Sequence, residues 1–193
     1  MADPQGADPQ GADPQGADPQ GADPQGADPK VSDPRGADAP GADSAAADPQ
    51  RVADAVRAGM YARDRAAQAL GITVEAIGPG FARCRMRVRD DMIQGHATCH
   101  GGLTFALADT AFAYACNACN RATVAQGAEI AFVAPARAGD LLTATARERS
   151  RAGRTGIYDV EITKADGGLV ALFRGTSYET RGEVVAAPGR KPA

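Results

Sequence analysis

The chain has no tryptophan, only two histidines, and no apolar run of the ~18–20 residues that a membrane-spanning helix needs. Asp109 and Thr104 interrupt its best candidate for such a run. It has neither a basic start followed by an apolar block nor an Arg-rich amphipathic opening, so no export or organelle signal is expected. These absences point to a cytoplasmic protein without membrane partners. Nor is there a continuous basic face interleaved with aromatics, which argues against a nucleic-acid partner. Cysteine is sparse: Cys84, Cys99, Cys116 and Cys119 are scattered, and structural disulfides are not expected. Cys116-Asn117-Ala118-Cys119 matches Cys-x-x-Cys, but no second Cys or His pair follows to complete a zinc site, so no metal site is expected. As a redox pair it would fall at a helix C-terminus, where the dipole disfavours a thiolate. The thiols read as small buried or half-buried groups.

The first fifty residues lack aromatics altogether and contain one large aliphatic residue, Val31. Ala-Asp-Pro-Gln-Gly recurs five times without change from Ala2 to Gly26 and then decays towards Gln50. Five residues are too few for a solenoid unit, and a proline in every copy interrupts helix and sheet alike. Residues 1–50 are therefore expected to form a disordered acidic tail, 51–182 a folded domain, and 183–193 a flexible C-terminal tail. Residues 1–50 carry ten Asp against Lys30 and Arg35, a net of −8; the rest carries nineteen Lys and Arg against fourteen Asp and Glu, a net of +5. A mildly basic domain suits an anionic ligand.

Within the domain, Val52, Val56, Met60, Ala67 and Leu70 recur near helical spacing and predict one amphipathic helix over 49–70. Asp48 is its candidate N-cap, Pro49 its first residue and Gly71 its stop. Residues 72–77 and 81–88 predict a hairpin around Gly78-Pro79-Gly80, the second strand alternating apolar and basic residues. A loop follows, then an apolar helix over 103–116. Four β-rich runs at 123–133, 140–150, 156–164 and 169–179 have the spacing of a meander. A helix apolar on all sides must be enclosed. Two α+β arrangements do this: a six-stranded antiparallel sheet curled around the helix, the hotdog fold, or an ordinary sandwich of the same elements. Periodicity alone leaves both open.

Asp109 is the misfit in that apolar helix. Its neighbours three and four positions away are Phe105, Ala106, Phe112 and Ala113, so no Lys or Arg can pair with it inside the helix. An ionised carboxylate buried there loses hydration at a cost of several kcal/mol unless a partner or a polar cavity compensates. Gln94-Gly95-His96-Ala97-Thr98-Cys99-His100-Gly101-Gly102 runs into the same helix, with Thr98 or Cys99 near its start. First-turn amides lack intrahelical acceptors, so those of Gly101 and Gly102 can hold an oxygen that gains negative charge, and the missing Cβ permits close approach. A start that merely needs small residues for packing is the alternative. Asp109 lies roughly 12 Å further along, too far to share one reacting carbon with Gly101 in a single chain. A two-fold dimer with shared sites follows as an expectation. Taken alone, His96 and His100 read as structural histidines held by local hydrogen bonds. The arginines of 137–174 read singly as solvated surface, with Arg151 and Arg154 the better candidates for phosphates.

Residues 91–117, with Gln94-Gly95-His96-Ala97-Thr98-Cys99-His100-Gly101-Gly102 and Leu107-Ala108-Asp109-Thr110, closely resemble the phenylacetic acid degradation thioesterases of the hotdog superfamily. Gly139-Asp140-Leu141-Leu142-Thr143, Thr155-Gly156-Ile157-Tyr158-Asp159 and Val170-Ala171-Leu172-Phe173-Arg174-Gly175 look like further segments of that family, so the resemblance covers about 52–179. It implies hydrolysis of acyl-CoA thioesters, often phenylacetyl-CoA or hydroxylated relatives, with no cofactor. Carried onto matching positions, Asp109 is the general base or nucleophile, the Gly101 amide polarises the thioester carbonyl, and His100 shapes the helix start. Gln94 stands where the family usually has Asn to hold the thioester or attacking water, a departure that bears on rate and substrate choice. Gly102, Gly153, Arg154 and Thr155 are the expected substrate contacts. The resemblance also implies a homo-oligomer, a dimer with shared sites and a tetramer built from it. The competing reading is a non-catalytic hotdog that binds acyl-CoA as a sensor, against which Asp109 argues. A hydratase would need an Asp-x-Asn-Pro-x-His type of motif, which is absent.

Overall fold

The computed structural model describes residues 48–186. The repeats, and with them nearly all of the expected acidic tail, lie outside the described residues, as do the last seven positions.

Helix α1 (Pro49–Tyr61) starts as its sequence directs: the Asp48 carboxylate accepts the Gln50 amide at 3.0 Å, and Pro49 opens the first turn. It does not continue to Leu70. Asp64 accepts the Ala67 amide at 3.0 Å and caps a separate helix α2 (Arg65–Leu70), because its short carboxylate competes for the backbone donors that an unbroken helix would use. Gly71, at φ 69°, closes α2 in the left-handed region.

Strands β1 (Thr73–Gly78) and β2 (Phe81–Arg87) form the expected antiparallel hairpin. Helix α3 (Gly101–Asn117) follows, then β3 (Thr123–Phe132), β4 (Leu141–Ala152), β5 (Thr155–Lys164) and β6 (Leu169–Glu179). The six form one antiparallel sheet in the order β1-β2-β4-β5-β6-β3. Only β4, β5 and β6 form the expected meander. β3 crosses over to the far edge and pairs with β6 from Thr123 opposite Glu179 to Phe132 opposite Ala171. The crossover follows from α3: the helix fills the concave face and delivers the chain to the edge away from β2.

The sheet curls over α3, which packs against all six strands in the hotdog arrangement. Leu107, Ala111, Phe112 and Tyr114 from the helix meet Leu142, Ala146, Val160 and Ile162 from the strands, all buried. Each large side chain so buried contributes roughly 1.5–3 kcal/mol. Phe112 crosses Tyr158 edge-to-face with centroids 5.4 Å apart and lies 5.8 Å from Phe173. Gly175 makes that packing possible, since a Cβ there would sit 2.9 Å from the Phe112 ring. The outward positions of β2 carry Arg83, Arg85 and Arg87, and Arg85 pairs with Glu75 across the hairpin at 2.7 Å.

Enclosure of α3 is incomplete. Phe105, Ala106, Asp109, Thr110 and Ala113, one stripe at helical spacing, are only half-buried. Beyond the expected domain end at 182, Asn120 accepts the Val184 and Val185 amides at 3.1 and 2.9 Å, and Val185 seats in the notch left by Gly59 on α1. The described part of the expected C-terminal tail, 183–186, is thus tied to the domain.

Replacing Gly175 by Ala forces a methyl group into the Phe112 ring within a close-packed core. The variant is expected to lose roughly 1–3 kcal/mol of stability by urea unfolding, with the secondary structure unchanged by circular dichroism.

Candidate active site

The approach to α3 is pinned by its own backbone. Gln94 N–H donates to Thr98 O at 2.9 Å, Cys99 N–H to Ala136 O at 2.8 Å and His100 N–H to Met92 O at 2.9 Å. Ala97 takes the left-handed φ of 57° that this tight turn requires. His100, not Thr98 or Cys99, is the N-cap: its Nδ1 accepts the Gly102 amide at 3.1 Å, and its carbonyl accepts those of Leu103 and Thr104. One first-turn donor is left. The Gly101 N–H has no acceptor among the described residues. Of the two amides read as candidate oxyanion donors, only Gly101 therefore offers a free N–H, at the positive end of a seventeen-residue helix.

Gly101 opens onto a cavity of about 370 Å³ shared with Gln94, Thr98, Thr104 and the bend after β3, Val133–Ala136. Gln94 is held locally. Its Nε2 donates to Thr98 Oγ1 at 2.8 Å, and its Oε1 accepts the His96 amide at 2.8 Å. The His96 side chain is exposed and takes no part in these bonds. Phe132 is a site residue that no local pattern announces: its ring occupies the space that a Cβ on Gly101 would fill, 2.9–3.4 Å from that position. The missing Cβ thus admits a side chain of the same chain. Phe132 ends a β-rich run like any strand residue, and only the crossover of β3 brings it to the helix start.

Asp109 sits on the half-buried stripe of α3 with no hydrogen bond or ion pair among the described residues. Desolvation by burial raises its pKa above the ordinary carboxylate value, and no neighbouring charge opposes that shift. A carboxylate so placed is a stronger base than one in water. It can accept a proton from a nucleophile brought to it, or attack directly.

The other expected substrate contacts lie elsewhere in the chain. Gly153, at φ 57°, and Arg154 form the β4–β5 turn, and Thr155 pairs with Tyr178 at the end of the sheet where α3 finishes, opposite the end that holds Gly101. Arg154 donates to Glu179 O at 2.7 Å and stacks 4.6 Å from the Tyr178 ring centroid. Arg151 is bound to Glu148 at 3.0 Å and to the Tyr158 hydroxyl at 2.7 Å. Cys116 is buried, its thiol pushed up to about 12 chiefly by burial, while Cys119 is exposed, so the Cys-x-x-Cys pair has no low-pKa thiolate in Cys116. A wider groove of about 420 Å³ lies across β3 to β6, where Asp159 bridges Arg149 at 2.9 Å and Arg174 at 2.7 Å. Among the described residues no group of His, Cys, Asp and Glu could hold a metal ion, and no helix is long and apolar enough to cross a membrane.

The raised pKa of Asp109 has a definite sign for stability. The protonated carboxyl suits the folded chain, so the fold is favoured at low pH and that advantage is lost as pH rises through the folded-state value. Asp109→Asn is expected to melt with the wild type near pH ~3 and above it near pH ~7 by scanning calorimetry. A variant less stable than wild type at neutral pH would mean that Asp109 has a partner in the folded protein.

A model of the thioesterase superfamily matches residues 96–171. Acyl-coenzyme A thioesterase PaaI of Escherichia coli (strain K12) is 49% identical over 125 residues, 65% of this chain and 89% of that protein. The solved structure of the E. coli PaaI protein from the phenylacetic acid degradation operon superposes with a TM-score of 0.69 at 46% identity, covering 70% of this chain and 99% of that one. A mutant of the phenylacetic acid degradation protein PaaI from Thermus thermophilus superposes with a TM-score of 0.59 at 39% identity, over 61% of this chain and all of that one.

Proposed function

The chain belongs to the thioesterase superfamily and is a thioester hydrolase, and from that premise we propose that it cleaves aromatic acyl-CoA thioesters, phenylacetyl-CoA or its hydroxylated relatives, to the free acid and CoA in phenylacetate degradation. The observation that carries this reading is that one helix holds both a start amide, Gly101, and a carboxylate, Asp109, that have no partner among the described residues. The thioester oxygen accepts from the Gly101 N–H and gains charge as the carbonyl carbon is attacked. Acting as base, Asp109 takes the proton of the attacking water. The tetrahedral intermediate then expels the sulfur, and the proton passes from Asp109 to the departing CoA thiolate. Acting as nucleophile, Asp109 attacks the carbonyl carbon and expels the CoA thiolate to leave a mixed anhydride, which water opens to the free acid and the regenerated carboxylate, its proton passing to the thiolate. Gln94 orients the thioester or the water, and no cofactor enters either route. Gly102 and His100 keep the helix start in shape, the imidazole by occupying the amide next to the one in use.

Two copies make one site. Asp109 and Gly101 lie roughly 12 Å apart along α3, so one carboxylate and one amide meet at a carbon only if two helices run antiparallel. β3 supplies the seam. It is a ten-residue edge strand, paired on one side only among the described residues, and Val124 on it is exposed. Joining β3 to its copy across a two-fold axis covers the half-buried stripe of α3. It also moves the Gly153–Thr155 turn of one subunit towards the Gly101 end of the other, where these residues contact the CoA portion, and two such dimers form a tetramer.

Asp109→Asn is expected to fold, to keep its oligomeric state, and to lose about 10²–10⁴-fold in kcat on phenylacetyl-CoA, followed by release of free thiol. In wild type the acid limb of kcat/KM should lie above the ordinary carboxylate value, following the raised pKa of Asp109. Normal turnover by Asp109→Asn would remove Asp109 from the reaction.

A further inference from the structure

Phe132 is the last residue of β3, 57% exposed, and makes no ring–ring contact among the described residues. A singly exposed aromatic is ordinary; its position is not. The ring lies over Gly101, so closely that no other residue type fits there without displacing it. It therefore flanks the one free amide at the start of α3 and walls the same cavity as Gln94. Val133, Pro135, Ala136 and Val170 supply apolar surface around it, and Phe105 is engaged elsewhere, with Phe173 at 5.3 Å. After Phe132 the chain turns away: Val133 and Ala134 both donate to Val170 O, at 2.8 and 3.1 Å, which fixes the backbone behind the ring.

We propose that Phe132 is the specificity-determining residue for the acyl group, its free face stacking on the aromatic ring of the substrate. The proposal rests on the reading of the site as a thioesterase centre. If the thioester oxygen accepts from the Gly101 N–H, the substituents of the carbonyl carbon lie beside the group that covers Gly101. An apolar cavity wall serves any acyl chain, but an aromatic face adds a preference for a second ring beyond the area it buries. Phe132 does not touch the proton being moved and sets which acyl group is held.

The test uses the full chain and two CoA thioethers that cannot be hydrolysed, S-phenacyl-CoA and S-acetonyl-CoA, with binding followed by calorimetry. Phe132→Ala is expected to weaken the phenacyl analogue roughly 10-fold and Phe132→Leu roughly 3–10-fold, with the acetonyl analogue changed by less than about 2-fold for both. The kcat/KM ratio of phenylacetyl-CoA to acetyl-CoA should fall in parallel, and light scattering should show unchanged oligomers. Equal weakening of both analogues would place the ring against the common CoA arm and overturn the proposal. Unchanged binding of both, failure of wild type to bind the phenacyl analogue, or dissociation of the oligomer on substitution would overturn it too. Selective loss of phenacyl binding in a chain that hydrolyses neither thioester would sustain the role of Phe132 and remove the thioesterase reading instead.

Discussion

The carboxylate of Asp109, without a partner among the described residues, is the constraint around which the rest of the domain is arranged. Burial raises its pKa, and the helix that carries it offers only apolar neighbours within reach. Holding such a group costs stability, so the surrounding core must supply a surplus. It does so through α3 itself, whose Leu107, Ala111, Phe112 and Tyr114 are buried in the concave face of the sheet and fix the helix on three sides. The remaining side, with Asp109 at its middle, is where a substrate or a second chain can approach the helix.

The same restraint governs the helix start. First-turn amides are donors without intrahelical acceptors, and a free one away from water is costly unless something takes it. His100 takes the Gly102 amide, and its carbonyl takes the next two, so among the described residues a single donor at Gly101 is left. Thioester chemistry needs one well-placed donor at the carbonyl oxygen, and neighbours already satisfied cannot compete for it. Gln94 is restrained in the same way by Thr98 and the His96 amide, its side chain held by the turn it belongs to.

Much of this was legible in the residues. Caps at Asp48 and Gly71, the alternation of β2, the six strands and the apolar helix follow from local rules, and Asp109 stood out because charge is rare where it lies. What escaped depends on long-range order. The break between α1 and α2 turns on one Asp64 carboxylate choosing an amide three residues ahead, in a stretch whose apolar spacing runs on regardless. The position of β3 at the far edge is set by where α3 delivers the chain, which periodicity does not encode. Phe132 could not be placed beside Gly101 without that crossover. The stripe left half-buried on α3 likewise has the same small and apolar composition as the buried faces, so composition alone reads it as enclosed.

The crossover of β3 accounts for more than topology. Because β3 returns along β6, its Phe132 end lies at the start of α3 and its Thr123 end lies where α3 finishes, tied there by Asn117, which donates to Thr123 O and accepts its amide at 2.9 Å each. Edge strand and central helix are thus antiparallel and in contact, with β3 exposed along its unpaired edge. In the dimer we propose, a two-fold axis at that edge, perpendicular to β3, pairs strand with strand in opposed directions and brings the start of one α3 towards the middle of the other. In that proposed dimer the strand pairing that joins two chains also brings the Gly101 amide of one towards the Asp109 carboxylate of the other.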